Sequence, residues 1–221
     1  MLSCLSVLWT LAAFEEELDS VLPNDLPERQ TVIRKAARHL ESIEETNQLF
    51  NLTRITGPRD AAIKHVLDSV LPWARFDGSG RVLDAGTGAG FPGLPLALVL
   101  PHVSFTLAES TGKKARFVEL AAAELGLGNV TVVHARAEDW LRTNRTDLIT
   151  GRALAPLDRA CGFFASAIRS GARAWLYKGP DVDQEISEAA PMARKYKLRL
   201  SVLERYELPD GAGARTLVEI A

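Results

Sequence analysis

Hydrophobic positions fall into two regimes along the 221-residue chain. After Pro27, the residues Val32, Ile33, Ala36, Ala37, Leu40 and Ile43 recur at helical spacing, with Arg34, Lys35, Arg38, Glu41 and Glu44 on other faces. This spacing predicts an amphipathic helix that needs a partner surface. A second helix is expected over residues 58–71, with Ala62, Ile63, Val66, Leu67 and Val70 apolar and Pro72 ending it. Past the loop residues Asp77-Gly78-Ser79-Gly80 the period changes. Short apolar runs at 81–84, 103–108, 130–133, 147–150 and 172–177 read as strands, and 93–100, 113–125 and 157–168 read as helices between them. This alternation predicts an α/β, Rossmann-like fold, with a mostly parallel twisted sheet and helices on both faces. Runs 197–208 and 214–220, joined by Pro209-Asp210-Gly211-Ala212-Gly213, read as an antiparallel carboxyl-terminal hairpin. The expected division is an amino-terminal helical extension, 1–76, and a second domain, 77–221.

Composition narrows the class. With 47% hydrophobic and 24% charged residues the chain is globular, neither disordered nor collagenous. A net charge of -2 argues against coating nucleic acid by bulk positive charge, although residues 152–199 hold nine Lys/Arg against five Asp/Glu. Polyanion binding would therefore be patch-like. Cys4 and Cys161 have no Cys-x-x-Cys spacing and too few partners for a metal site, so both read as small hydrophobes of a reduced compartment. The apolar opening stretch 1–14 carries no Lys or Arg before it and is followed by Glu15, Glu16, Glu17 and Asp19, against a signal peptide. No apolar run approaches membrane-spanning length. A cytoplasmic protein is expected, and the Asn-x-Thr triplets at Asn51, Asn129 and Asn144 read as accidents.

The strongest chemical signal is Val82-Leu83-Asp84-Ala85-Gly86-Thr87-Gly88-Ala89-Gly90-Phe91-Pro92-Gly93, where a strand ends and a helix begins. Glycines there let backbone approach a ligand, and the helix amino terminus favours hydrogen-bond acceptors. Gly88-x-Gly90-x-x-Gly93 matches a dinucleotide fingerprint, with Glu109 placed for a ribose hydroxyl, but those letters start late, since the turn leaves the strand at Gly86. Read from the strand, acidic-x-Gly-x-Gly-x-Gly resembles the first motif of class I S-adenosylmethionine-dependent methyltransferases.

A narrower resemblance rests on Asn51-Leu52-Thr53, Lys64-His65-Val66-Leu67-Asp68-Ser69, the glycine loop, Glu109-Ser110 with Lys113-Lys114, Ala137-Glu138, Gly151-Arg152-Ala153 and Lys178-Gly179, in that order. Together these resemble the bacterial 16S ribosomal RNA guanine-N7 methyltransferases, also called the glucose-inhibited division protein B family. The resemblance runs from about Leu40 to the carboxyl end; the first 25 residues add nothing to it. It implies S-adenosylmethionine as cofactor, contacted by Gly86, Gly88, Gly90, Phe91, Ala137, Glu138 and Arg152, with Glu109 holding the ribose. It also implies 16S rRNA or the small ribosomal subunit as partner, with no metal and no membrane, and a monomer is expected. Three positions depart from the family pattern: Lys64 where Arg is usual, Gly151 where Ser is common, and Tyr177 where Leu often stands.

His65, Asp68 and Ser69 share a helical face opposite Ile63, Val66 and Val70, which alone reads as solvated and with the resemblance becomes a wall of the site. Arg152, Asp68 and His65 are the candidates for positioning and electrostatics during catalysis. Lys113, Lys114 and Arg116 open a helix where the dipole disfavours cations, so phosphate contact is expected there; Lys178 and Arg215 are further RNA-binding candidates. Phe91, Trp73 and Tyr177 could stack on an extruded base. A nicotinamide-dependent oxidoreductase and a non-catalytic RNA- or protein-binding module are the alternatives.

Overall fold

The computed structural model describes residues 9–221, so Cys4 and most of the apolar opening stretch lie outside the described residues. The amino-terminal part is helical: α1 (Leu11–Val21), α2 (Arg29–Asn47), then α3 (Pro58–Ala61), which continues through a π-helical stretch (Ala62–Leu67) into α4 (Asp68–Val70), and α5 (Trp73–Phe76). Then follow β1 (Arg81–Ala85), α6 (Gly93–Val99), β2 (Ser104–Glu109), α7 (Gly112–Glu124), β3 (Val130–His134), α8 (Ala137–Trp140), β4 (Leu148–Arg152), α9 (Leu157–Arg169), β5 (Arg173–Lys178), α10 (Val182–Tyr196), β6 (Leu200–Leu208) and β7 (Gly213–Ile220).

The strands form one sheet in the order β3-β2-β1-β4-β5-β7-β6. β1 to β5 are mutually parallel, and β7 runs antiparallel to both β5 and β6. This is the mostly parallel Rossmann-like sheet with a carboxyl-terminal hairpin that the periodicity predicts. Alternation along buried strands explains the continuous apolar runs. Val82, Phe105 and Leu148 join one apolar cluster with Phe14, Leu40, Val66, Leu94 and Phe117. Leu83, Ile149 and Ala174 face the other, with Phe164, Ala189 and Ala193. Cys161 is buried in that second cluster, and burial pushes its thiol up to about 11.

Strand order positions the site. The chain winds outward from β1 through β2 to β3, then returns to place β4 on the other side of β1. The carboxyl ends of β1 and β4 therefore flank the crevice where connections diverge, the ligand-binding position of such sheets. Gly151 permits that neighbourhood, since a Cβ there would lie 3.0 Å from the Ala85 carbonyl oxygen.

Three features depart from the sequence reading. α10 matches no helix in the sequence reading and carries Pro191 in its interior, yet Val182, Ala189 and Ala193 on its apolar face are buried against the cluster that holds α9. α1 is hidden by its acidic run, but Phe14 and Leu18 are fully buried beside α2. The face bearing His65, Asp68 and Ser69, which alone reads as solvated, is buried, because side chains from β4, β5 and β6 close over it.

Candidate active site

The turn leaving β1 needs left-handed backbone: Gly86 has φ 70° and Gly88 φ 62°. A Cβ on Gly86 would come within 2.9 Å of the Leu154 side chain, whereas one on Gly88 would meet nothing nearer than 4.0 Å. Backbone at Gly88 thus faces open space.

Buried carboxylates hold the turn in shape. Oδ2 of Asp84 accepts from the Thr87 hydroxyl at 2.6 Å and the Gly93 amide at 2.9 Å, tying the ends of the loop together. Its Oδ1 is buried with no partner among the described residues, and burial pushes the Asp84 carboxyl up to about 6. Glu109, at the end of β2, accepts from the Gly88 amide at 3.0 Å through Oε2 and from the Thr111 amide at 2.7 Å through Oε1. From the other side His39 of α2 donates through Nε2 to the Ala89 carbonyl at 2.8 Å; burial lowers this imidazole to about 4, so it is neutral.

Opposite the loop lies the π-helical stretch. An i→i+5 turn widens the helix and frees carbonyls for other donors. Arg152, at the end of β4, uses this: Nη1 donates to the Lys64 carbonyl at 2.7 Å and to Asp68 Oδ2 at 3.0 Å, and Nη2 donates to His65 Nδ1 at 3.3 Å. The guanidinium lies 5.4 Å from the centroid of Phe91. His65 stacks parallel on the same ring, with centroids 4.3 Å apart. Burial first, then the charge of Arg152, holds His65 well below its usual range and therefore neutral. Asp68 is the hub: Arg215 approaches Oδ2 at 3.5 Å, and the Tyr206 hydroxyl donates to Oδ1 at 3.2 Å. Burial and that negative charge push the Tyr206 phenol up.

The glycine loop and the Arg152–Asp68–His65 cluster line a cavity of about 1200 Å³. Of the residues singled out in the sequence, His65, Asp68, Gly86, Gly88, Phe91, Lys114, Arg152, Tyr177, Lys178 and Arg215 line it. Gly90 packs away from it, its Cβ position within 3.2 Å of both Leu94 and His39 side-chain atoms. Glu109 adjoins the cavity through its bond to Gly88. Ala137 and Glu138 start α8 beyond β3, with Ala137 buried and Glu138 facing Arg136 at 3.8 Å. Lys178 is engaged inside, bonded to the Ala155 carbonyl at 2.8 Å and paired with Glu185. Lys113 sits over the Phe50 ring and Arg116 pairs with Glu119 on the outer face of α7. Trp73 packs against the apolar cluster instead of the cavity. Among the lining groups that sequence reasoning left unassigned as site residues are Thr53, Lys64, and the acidic wall of Asp181, Glu185 and Glu188. The first two stand within the quoted Asn51-Leu52-Thr53 and Lys64-His65 signatures. The wall carries no local motif.

A family model described as rRNA small subunit methyltransferase G matches residues 32–208. The chain belongs to that family. Among its members, the ribosomal RNA small subunit methyltransferase G of Solibacter usitatus is 64% identical over 94% of this chain and 99% of its own length. That of Symbiobacterium thermophilum is 39% identical over 82% of this chain and 78% of its own. The precorrin-6y C5,15-methyltransferase of Geobacter metallireducens shares the fold, with a TM-score of 0.54 at 13% identity over 76% of this chain and 90% of that one. Membership of the rRNA small subunit methyltransferase G family makes the chain a methyltransferase, and neither the nicotinamide reading nor the non-catalytic one finds support. Among the described residues, no helix is long and apolar enough to cross a membrane, and no group of three or more His, Cys, Asp and Glu could hold a metal ion.

Proposed function

We propose that this protein transfers a methyl group from S-adenosylmethionine to N7 of a guanine in 16S ribosomal RNA, in the cytoplasm. The observation that carries the reading is the juxtaposition, across one cavity at the β1/β4 switch point, of the glycine loop and the Arg152–Asp68–His65 cluster. Residues 77–221 form the cofactor-binding unit in this reading, and 1–76 supply the far wall, including His65 and Asp68.

The residues present fit the cofactor. Open space above Gly88 admits its close approach. Each Glu109 oxygen has one backbone N–H and keeps a lone pair, which suits the two hydroxyls of a ribose. Arg152 spends both Nη1 protons and one Nη2 proton on the protein, leaving Nε–H and one Nη2–H for the methionine carboxylate or the base. Ala137 and Glu138, at the start of α8 and outside the residues that line the cavity, are assigned to the adenine in this reading. When bound, the sulfonium supplies an already activated methyl group.

Guanine N7 carries a free lone pair at neutral pH, so the chain's own task is positioning: an in-line approach of about 3–3.5 Å, without proton transfer. His65, neutral and stacked on Phe91, shapes the wall. Asp68 already balances Arg152 and Arg215, so it fixes those two guanidiniums in place. Lys114 at the cavity, with Lys113 and Arg116 further out on α7, offers cations to the RNA backbone. N7 lies in the deep groove of A-form RNA, so the target guanine must be unpaired or extruded.

Tritium-methyl transfer to naked 16S rRNA, 30S particles and 70S ribosomes tests this reading. Labelling of at least one of the three supports it; labelling of none contradicts it.

A further inference from the structure

The hydroxyls lining the cavity can be accounted for one by one. Thr87 donates to Asp84 at 2.6 Å, and Tyr177 donates to the Ser69 carbonyl at 2.8 Å. Thr53 is different. Its Oγ1 accepts the Ile55 amide at 3.2 Å and lies 3.2 Å from His65 Nε2. The direction of that second bond follows from the other side of the ring: Arg152 is a donor only, so His65 Nδ1, 3.3 Å from Arg152 Nη2, must be the acceptor. A neutral imidazole whose Nδ1 accepts carries its proton on Nε2 and donates it to Thr53. Thr53 Oγ1 thus receives two hydrogen bonds, and its own proton has no acceptor among the described residues. The residue itself is held in place, since Asn47 Oδ1 accepts the amides of Leu52 and Thr53 at 2.8 and 3.1 Å while its Nδ2 donates to the Thr53 carbonyl at 3.2 Å. A fixed loop, a fixed tautomer and a cavity-lining hydroxyl leave one donor for a ligand.

Guanine presents two acceptors on its major-groove edge, N7 and O6, where adenine presents N7 and an amino donor. N7 must keep its lone pair for the methyl group, so a donor on this edge has to go to O6. A neutral hydroxyl serves better there than a cation, which would draw electron density from N7 and oppose the positive charge the methylated purine acquires. We propose that Thr53 is the specificity-determining residue that selects guanine, donating its hydroxyl proton to O6 while Arg152 and His65 fix the direction of that proton. This inference rests on the guanine-N7 reading above.

The test compares wild type, Thr53→Val and Thr53→Ser on small-subunit RNA in which the methylated guanine, mapped first with the wild-type enzyme, is replaced by inosine or 2-aminopurine. Both analogues keep N7; 2-aminopurine lacks O6. Wild type and Thr53→Ser should prefer inosine by about ten- to a hundredfold in kcat/KM, the loss expected when one hydroxyl donor is left without its acceptor. Thr53→Val should treat the two analogues alike while binding S-adenosylmethionine as wild type does. If Thr53 merely holds its loop, Thr53→Val loses rate on both analogues and keeps the wild-type preference, and that result overturns the proposal. Failure of the wild-type enzyme to methylate any guanine at N7 would instead overturn the reading on which it rests.

Discussion

Asp84 offers a quantitative check on how the glycine loop is held. Its carboxyl is fully buried, has no partner for Oδ1 among the described residues, and is raised from 3.8 to about 6. The sign follows from proton binding: below about pH 4 both folded and unfolded chains carry the proton, and Asp84 contributes its full stability. As pH rises the unfolded chain releases the proton first, so this stability falls until the folded carboxyl also ionises near 6. The total difference is worth about 3 kcal/mol, of which about 2 kcal/mol falls between pH 4.5 and 8. Asp84→Asn keeps an oxygen to accept from Thr87 and Gly93 but does not titrate. Urea unfolding of both proteins across that range isolates the group, because every other carboxylate cancels in the difference. Wild type should lose about 2 kcal/mol relative to Asp84→Asn on going from pH 4.5 to 8. A difference constant within about 0.5 kcal/mol would refute the claim that this carboxyl pays an uncompensated burial penalty.

Other expectations follow from the same geometry. Glu109→Gln should weaken S-adenosylmethionine binding by about 1–3 kcal/mol in calorimetry, since it neutralises the acceptor and leaves one of the Gly88 and Thr111 amides without its partner. Arg152→Lys keeps the charge but loses the fork that reaches Lys64, Asp68 and His65, so kcat should fall while part of the RNA affinity persists; Arg152→Ala should also lose cofactor affinity. A depressed melting temperature with normal kinetics in both variants would make Arg152 a purely structural ion pair. Lys114→Ala should flatten the salt dependence of RNA binding by roughly 0.7–0.9 in the slope of log K against log salt, and an unchanged slope would remove it from the RNA contact.

The legible parts of the molecule were local ones. Parallel strands buried on both faces announce themselves as apolar runs, and the glycine loop and Arg152 sit at strand ends, so sequence order alone places them at one edge of the sheet. What stayed hidden depends on distant partners. The face carrying His65, Asp68 and Ser69 carries polar groups throughout, and its burial comes from Arg152, Tyr177 and Tyr206, each far along the chain. The π-helical stretch has no signature in its own residues, and the Lys64 carbonyl is taken by Arg152, far along the chain. α10 was not among the expected helices; it tolerates Pro191 in its interior and is held by burial against the α9 side of the sheet. Lys178 reads as a free cation until Glu185, on that unforeseen helix, is seen beside it.

Chemical mapping of the modified nucleotide tests the central claim most directly. Small-subunit RNA incubated with the protein and S-adenosylmethionine is treated with borohydride and aniline, which cleave RNA at N7-methylguanine, and is then read by primer extension. The account predicts one new stop, next to a guanine, that requires both cofactor and enzyme and disappears with Arg152→Ala. Methyl label incorporated into the RNA with no aniline-sensitive guanine would contradict it, because the site would then deliver the methyl group to a different atom.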